Sequence, residues 1–128
     1  MKSILLTTLL LSFVQLNAES DHSNKMEMLA TPTLWALAPD MFACNLTNVD
    51  HTAHKIRVRI ISNGKVLLES KTLSLEPRHT SNHKITGPTK GGPLYCEFIV
   101  EGDKDEYRGV AVLYHAPSGS DFVAVAAE

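Results

Sequence analysis

Lys55-Ile56-Arg57-Val58-Arg59-Ile60 alternates charged and apolar residues without a break. Strict period-two alternation places every second side chain on one face, which is the geometry of a half-buried β-strand and not of a helix. Ser62-Asn63-Gly64-Lys65 follows directly, then Val66-Leu67-Leu68. Asn-Gly between two apolar runs predicts a tight hairpin, because both turn positions take positive φ. This stretch commits the chain to antiparallel sheet.

The same period recurs elsewhere. Phe42, Cys44 and Leu46 alternate with Ala43, Asn45 and Thr47, and Cys96, Phe98 and Val100 with Tyr95, Glu97 and Ile99. Leu73 and Leu75 form a short pair stopped by Glu76-Pro77, residues 81–86 centre on Ile85, Val110, Val112 and Tyr114 share one phase, and a last apolar run covers Phe122–Ala127. Gly87–Pro93 reads as a loop, Gly102–Asp105 as a turn, and Ala116–Ser120 as another. Helical spacing is sustained nowhere beyond the first residues. About six to eight short strands in one domain predict an all-β fold, an antiparallel β-sandwich of immunoglobulin-like architecture, with a small barrel as the alternative.

The amino-terminal residues stand apart. Met1-Lys2-Ser3 precedes an almost wholly apolar run from Ile4 to Leu16, and Asn17-Ala18 gives way to polar Glu19-Ser20-Asp21. A basic start, a short apolar centre and a small residue before the cut predict a cleaved signal peptide over residues 1–18. The run falls short of the ~20 residues a membrane span needs, and no later stretch is longer. Residues 19–30 are mostly polar and read as a flexible leader, leaving 31–128 as the β-sandwich domain.

Without Lys2 the chain keeps 11 basic residues against 14 acidic ones. The basic residues are scattered and aromatics are few, so neither nucleic acid nor an anionic membrane surface is expected as a partner. The destination is periplasmic or secreted. In such an oxidising compartment two cysteines are expected to pair. Cys44 and Cys96 both fall on the apolar phase of their strands, which predicts a buried disulfide between them; no Cys-x-x-Cys spacing points to redox work.

Histidines and methionines supply the candidate metal ligands. His22, Met26 and Met28 lie in the leader, and imidazole with thioether suits copper. His51 and His54 border the loop Asp50-His51-Thr52-Ala53-His54, with His79, His83 and His115 near other turns; three converging loop histidines would suit zinc or copper. The plainer reading is incidental histidine in exposed turns, because no acidic or thiol ligand sits at a specific zinc spacing. Asp103, Asp105 and Glu106 read as solvated turn charge, since the calcium-loop pattern is absent. Asn45-Leu46-Thr47 matches a glycosylation acceptor. Ser118-Gly119-Ser120-Asp121 lacks the nucleophile-elbow pattern, and Gly87–Pro93 lacks phosphate-loop spacing.

Four stretches carry a wider likeness: Phe42–Val49, Leu73–Pro77, Tyr95–Gly102 and Tyr107–Val112. On these the chain resembles a loose group of small exported bacterial β-sandwich proteins of unknown function with one disulfide. The resemblance implies fold and export alone. The expected role is non-enzymatic, binding a protein partner or serving the cell envelope, with no cofactor. The alternative is a periplasmic copper- or zinc-binding protein using leader His/Met or loop His.

Overall fold

The computed structural model describes residues 25–115 and 123–128. Ten strands appear: β1 (Met26–Ala30), β2 (Leu34–Ala36), β3 (Met41–Asn48), β4 (His54–Ser62), β5 (Lys65–Glu69), β6 (Leu73–Leu75), β7 (Thr80–Thr86), β8 (Gly92–Glu101), β9 (Tyr107–Tyr114) and β10 (Val123–Ala126). The only helical piece among the described residues is a 3₁₀ turn, Lys104–Glu106. One sheet runs β1-β8-β4-β5, with β2 also on β8 and β6 also on β4; the other runs β10-β9-β3-β7. All pairings are antiparallel. The fold is an all-β sandwich, with ten strands among the described residues where the periodicity predicts six to eight.

The extra strands are short ones whose order comes from pairing and not from their own pattern. β1 corrects the expected leader: residues 26–30 lie in register with β8 from Met26↔Glu101 to Ala30↔Glu97. Only Leu29 of this strand is buried, so no apolar face announces it. Its continuation is anchored where the Thr31 amide donates to the Cys96 carbonyl and the Cys96 amide to Thr31 Oγ1. Gly92 and Pro93, read as loop, already belong to β8. The signal segment 1–18, residues 19–24 and the turn at 118–121 lie outside the described residues.

The alternating runs pack as their phase requires. Ile56, Val58 and Ile60 from β4 and Leu94, Phe98 and Val100 from β8 are fully buried against Phe42 and Leu46 of β3 and Tyr107 and Ala111 of β9. Asn63 and Gly64 both take positive φ, 49° and 76°, and close the β4–β5 hairpin. Cys44 on β3 and Cys96 on β8 form the disulfide, with Cα atoms 5.7 Å apart, joining the two sheets through the core. Asn45 and Thr47 of the acceptor motif sit on the outer phase of β3 and bond across to Asn82 and Thr80 of β7.

A candidate cation site at one end of the sandwich

The loop between β3 and β4 is organised by Asn48, a polar residue with no solvent exposure. Its Nδ2 donates to the carbonyls of Thr52 and Leu75, both at 2.9 Å, while its Oδ1 accepts the Asp50 amide. Its backbone amide donates to His79 O and its carbonyl accepts from Arg78, whose φ of 62° turns the amide toward it. Every polar group of Asn48 is thus satisfied, as burial demands. The adjacent Val49 amide donates to Glu106 O at 2.8 Å, which brings the 3₁₀ turn beside the loop.

This frame sets three side chains together. His54 Nε2 lies 2.7 Å from Asp50 Oδ2 and 3.0 Å from Glu106 Oε2. Nε2 faces carboxylates on two sides, so it carries the ring proton and donates to Asp50. Thr52 Oγ1 also donates to Asp50 Oδ2, at 3.0 Å. Glu101 approaches the other ring nitrogen, Nδ1, at 3.9 Å. The His54 imidazole tilts against the buried ring of Tyr107, whose hydroxyl donates to the Glu101 carbonyl. That bond, from the start of a strand back over the preceding turn, is a tyrosine-corner arrangement.

The two carboxyls differ sharply. Asp50 is held down to about 2, first by the hydrogen bond from His54, then by the His51 amide and the Thr52 hydroxyl. Glu106 is pushed above the usual carboxylate range, first by burial and then by the neighbouring Asp50 charge. Glu106 Oε2 is sealed from solvent and accepts no hydrogen bond, although His54 Nε2 is close, because the Nε2–H is directed to Asp50. Gly102, at φ 89°, forms the floor: a Cβ there would stand 3.1 Å from Glu106 Oε2 and 3.6 Å from His54 Cε1. The site therefore holds an orphaned buried oxygen above a cradle that a side chain would fill.

Asp50, His54 and Glu106 each offer one ligand atom, all within 4.8 Å of one another. One imidazole nitrogen with two carboxylate oxygens suits zinc or a similar divalent ion, and lacks the sulfur that reduced copper prefers.

Of the sequence candidates, only His54 joins this cluster. His51 is exposed and contributes its backbone amide to Asp50. Met26 and Met28 are about half exposed on β1, paired with Glu101 and Ile99 of β8; His22 lies outside the described residues. His115 pairs with Asp40 at 2.6 Å. That pair flanks the Met41↔Tyr114 end of β3–β9, whereas the cluster flanks the Asn48↔Tyr107 end, some ~23 Å away along the strands. His51, His54 and His115 therefore do not converge. Asp50 and Glu106 are candidate ligands that the sequence reading does not single out. The Asp50-x-x-x-His54 spacing is visible in the chain, but Glu106 arrives from a distant turn that reads as solvated charge. A separate open cleft of about 350 Å³, lined by Leu29, Lys104, Asp105, Tyr107, Arg108, Ala127 and Glu128, includes none of the candidate ligands.

No family model matches the chain, and no curated protein matches it by sequence. Its fold is similar to that of a solved Thermotoga maritima protein designated 1070, with a TM-score of 0.56 and 8% identity over 79% of this chain and 91% of that one. The likeness defines the architecture, an all-β sandwich, and nothing of the site.

Proposed function

We propose that this chain is an exported, non-enzymatic β-sandwich that binds one divalent cation, best matched by zinc, through Asp50, His54 and Glu106. The observation that carries the reading is the approach of two carboxylate oxygens from separate elements to a single imidazole nitrogen, 2.7 and 3.0 Å away. A bound ion would take the place of the proton between them and give the orphaned Glu106 oxygen a partner. It would also fasten the β3–β4 loop to the 3₁₀ turn, a binding role and not a turnover role. Export is supported by the basic-apolar-small pattern of residues 1–18 and by a disulfide that an oxidising compartment favours. The same two features support a periplasmic or secreted location. The reading moves the proposed metal site away from the leader residues His22, Met26 and Met28.

Calorimetric titration of the metal-free, disulfide-bonded protein with zinc tests this. One equivalent should bind to the wild type and to a variant lacking Met26 and Met28 side chains, and binding should be lost in His54→Ala and Glu106→Gln. Absence of saturable binding in the wild type, or unchanged binding in both variants, would overturn the proposal.

A further inference from the structure

We infer, resting on the ligand set Asp50, His54 and Glu106 proposed above, that Glu101 is the positioning residue of that site: its carboxylate accepts a hydrogen bond from His54 Nδ1 when a cation occupies Nε2. An imidazole has two ring nitrogens, and the ligand set uses one. Nε2 faces Asp50 and Glu106, at 2.7 and 3.0 Å. Among the described residues, Glu101 alone brings a carboxylate beside Nδ1, with Oε1 3.9 Å away. That separation is too long for a hydrogen bond. The position of the ring proton accounts for it. In the metal-free neutral ring the proton sits on Nε2 and is donated to Asp50, so Nδ1 turns a lone pair toward a carboxylate oxygen. Two acceptors do not bond.

A divalent ion binds only a bare Nε2. The ring then releases the Nε2 proton to water and takes one at Nδ1, so its own charge is unchanged. Nδ1–H now faces Glu101 Oε1, and an approach of about 1 Å makes an ordinary N–H···O bond. A second-nitrogen bond of this kind fixes the tautomer and the orientation of a metal-bound imidazole. Glu101 is held for the task by contacts that involve none of the ligands. It ends β8 in register with Met26, and its carbonyl accepts the Tyr107 hydroxyl. Its Oε1 accepts the amide of Lys55, the residue after His54, at 3.4 Å. The next residue, Gly102, donates its amide to Lys25 O at 2.8 Å, which ties down the strand end. A Cβ at Gly102 would stand 3.8 Å from Nδ1, so the missing side chain keeps the space between ring and strand clear. The side chains of His54 and Glu101 are 15% and 28% exposed, so their bond is partly shielded from competing water.

Zinc titration calorimetry of the disulfide-bonded protein, paired with nitrogen-15 NMR of its histidine rings, tests this role. Zinc-loaded wild type should show His54 with the metal at Nε2 and a slowly exchanging proton on Nδ1. Glu101→Ala should bind zinc at least ~10-fold more weakly and lose the protected proton. Glu101→Gln, whose side-chain oxygen still accepts, should keep that proton and bind at least ~3-fold more tightly than Glu101→Ala. Both variants lose the same charge, so the difference between them reports the hydrogen bond. Circular dichroism checks each fold; if Glu101→Ala unfolds, Glu101→Asp replaces it, since it keeps the charge, is one methylene too short and should also lose the protected proton. Zinc uptake with a freely exchanging Nδ1–H in the wild type, with Glu101→Ala as tight as wild type, or with Ala and Gln variants alike, would overturn the role of Glu101 and leave the ligand set standing. A wild type that takes up no zinc would remove the ligand set, and this role with it.

Discussion

The ring centroids of Tyr107 and His54 lie 5.8 Å apart, with the planes tilted by 58°. Tyr107 is 1% exposed, so the imidazole rests on a wall that belongs to the core. Burial first, and the nearby acidic charges second, push the phenol upward, which keeps it a neutral hydrogen-bond donor to the Glu101 carbonyl. Tyr107→Phe keeps the wall and removes the bond. It should cost about 1 kcal/mol in chemical denaturation and weaken zinc binding only slightly. Tyr107→Ala removes the wall as well, with an expected cost of about 3–5 kcal/mol and loss of saturable binding in calorimetry.

Asn48 has a different part, holding the loop that carries Asp50. Asn48→Leu retains bulk but leaves the carbonyls of Thr52 and Leu75 without their donor and the Asp50 amide without its acceptor. Unpaired buried polar groups cost about 1–3 kcal/mol each, so a total loss of several kcal/mol is expected. Urea unfolding measures this, and amide exchange at Asp50 and Thr52 should accelerate more than exchange in β8.

What the chain discloses by itself is what depends on local periodicity. The Lys55–Ile60 alternation, the Asn63-Gly64 turn and the inward phase of Cys44 and Cys96 each follow from a few consecutive residues, and each is present in the fold. β1 is hidden because Leu29 is its one buried residue and its order is supplied by β8. The cation cluster is half legible. His54 stands out as a loop histidine with Asp50 four residues before it. Glu106 looks like turn charge until the Val49 amide and the tyrosine corner bring that turn over the β3–β4 loop. Such juxtapositions arise from tertiary hydrogen bonds, which leave no period in the sequence.

The two carboxyls of the site should respond to pH in opposite senses. Asp50 is depressed from 3.8 to about 2, so its contribution to stability is complete above 3.8 and is lost as pH falls through about 2. Glu106 is raised from 4.5; the fold favours its protonated form, so its contribution is present below 4.5 and is lost as pH rises through the raised value. Near neutral pH, Asp50→Asn should therefore lower the melting temperature and Glu106→Gln raise it. Both should abolish zinc binding, and wild-type affinity should fall as pH drops through the Glu106 titration. Thermal melts from pH 3 to 8, with and without zinc, read out both effects. A Glu106→Gln protein less stable than wild type at pH 7 without metal would contradict the assignment.

The disulfide spans a sequence separation of 52. Closing a loop of that length restricts the unfolded chain by about 4 kcal/mol on the entropy model. Cys44→Ala/Cys96→Ala should lower unfolding free energy by roughly that amount, against the 5–15 kcal/mol typical of whole domains. Thiol labelling of the native oxidised protein should detect no free thiol in the wild type.

Two glycines should fail for different reasons. Gly109 on β9 lies against the core, and a Cβ there would stand 2.7 Å from Phe98 Cε2 and 3.0 Å from the Cβ of Ala127. Phe98 has no solvent exposure, and its rigid ring cannot yield by rotating an end group. Gly109→Ala should therefore overpack the interior at about 1–3 kcal/mol and disturb the Ala127 amide bond to Gly109 O. Gly64 has nothing within 4 Å of the same added atom, but its φ is 76°. Gly64→Ala should cost about 1 kcal/mol through the backbone alone. Shaving the neighbour distinguishes the two: Phe98→Leu should offset part of the Gly109→Ala loss in a double-mutant cycle and add independently to Gly64→Ala. Equal coupling of Phe98→Leu to both glycine variants would show that packing against Phe98 is not what requires Gly109.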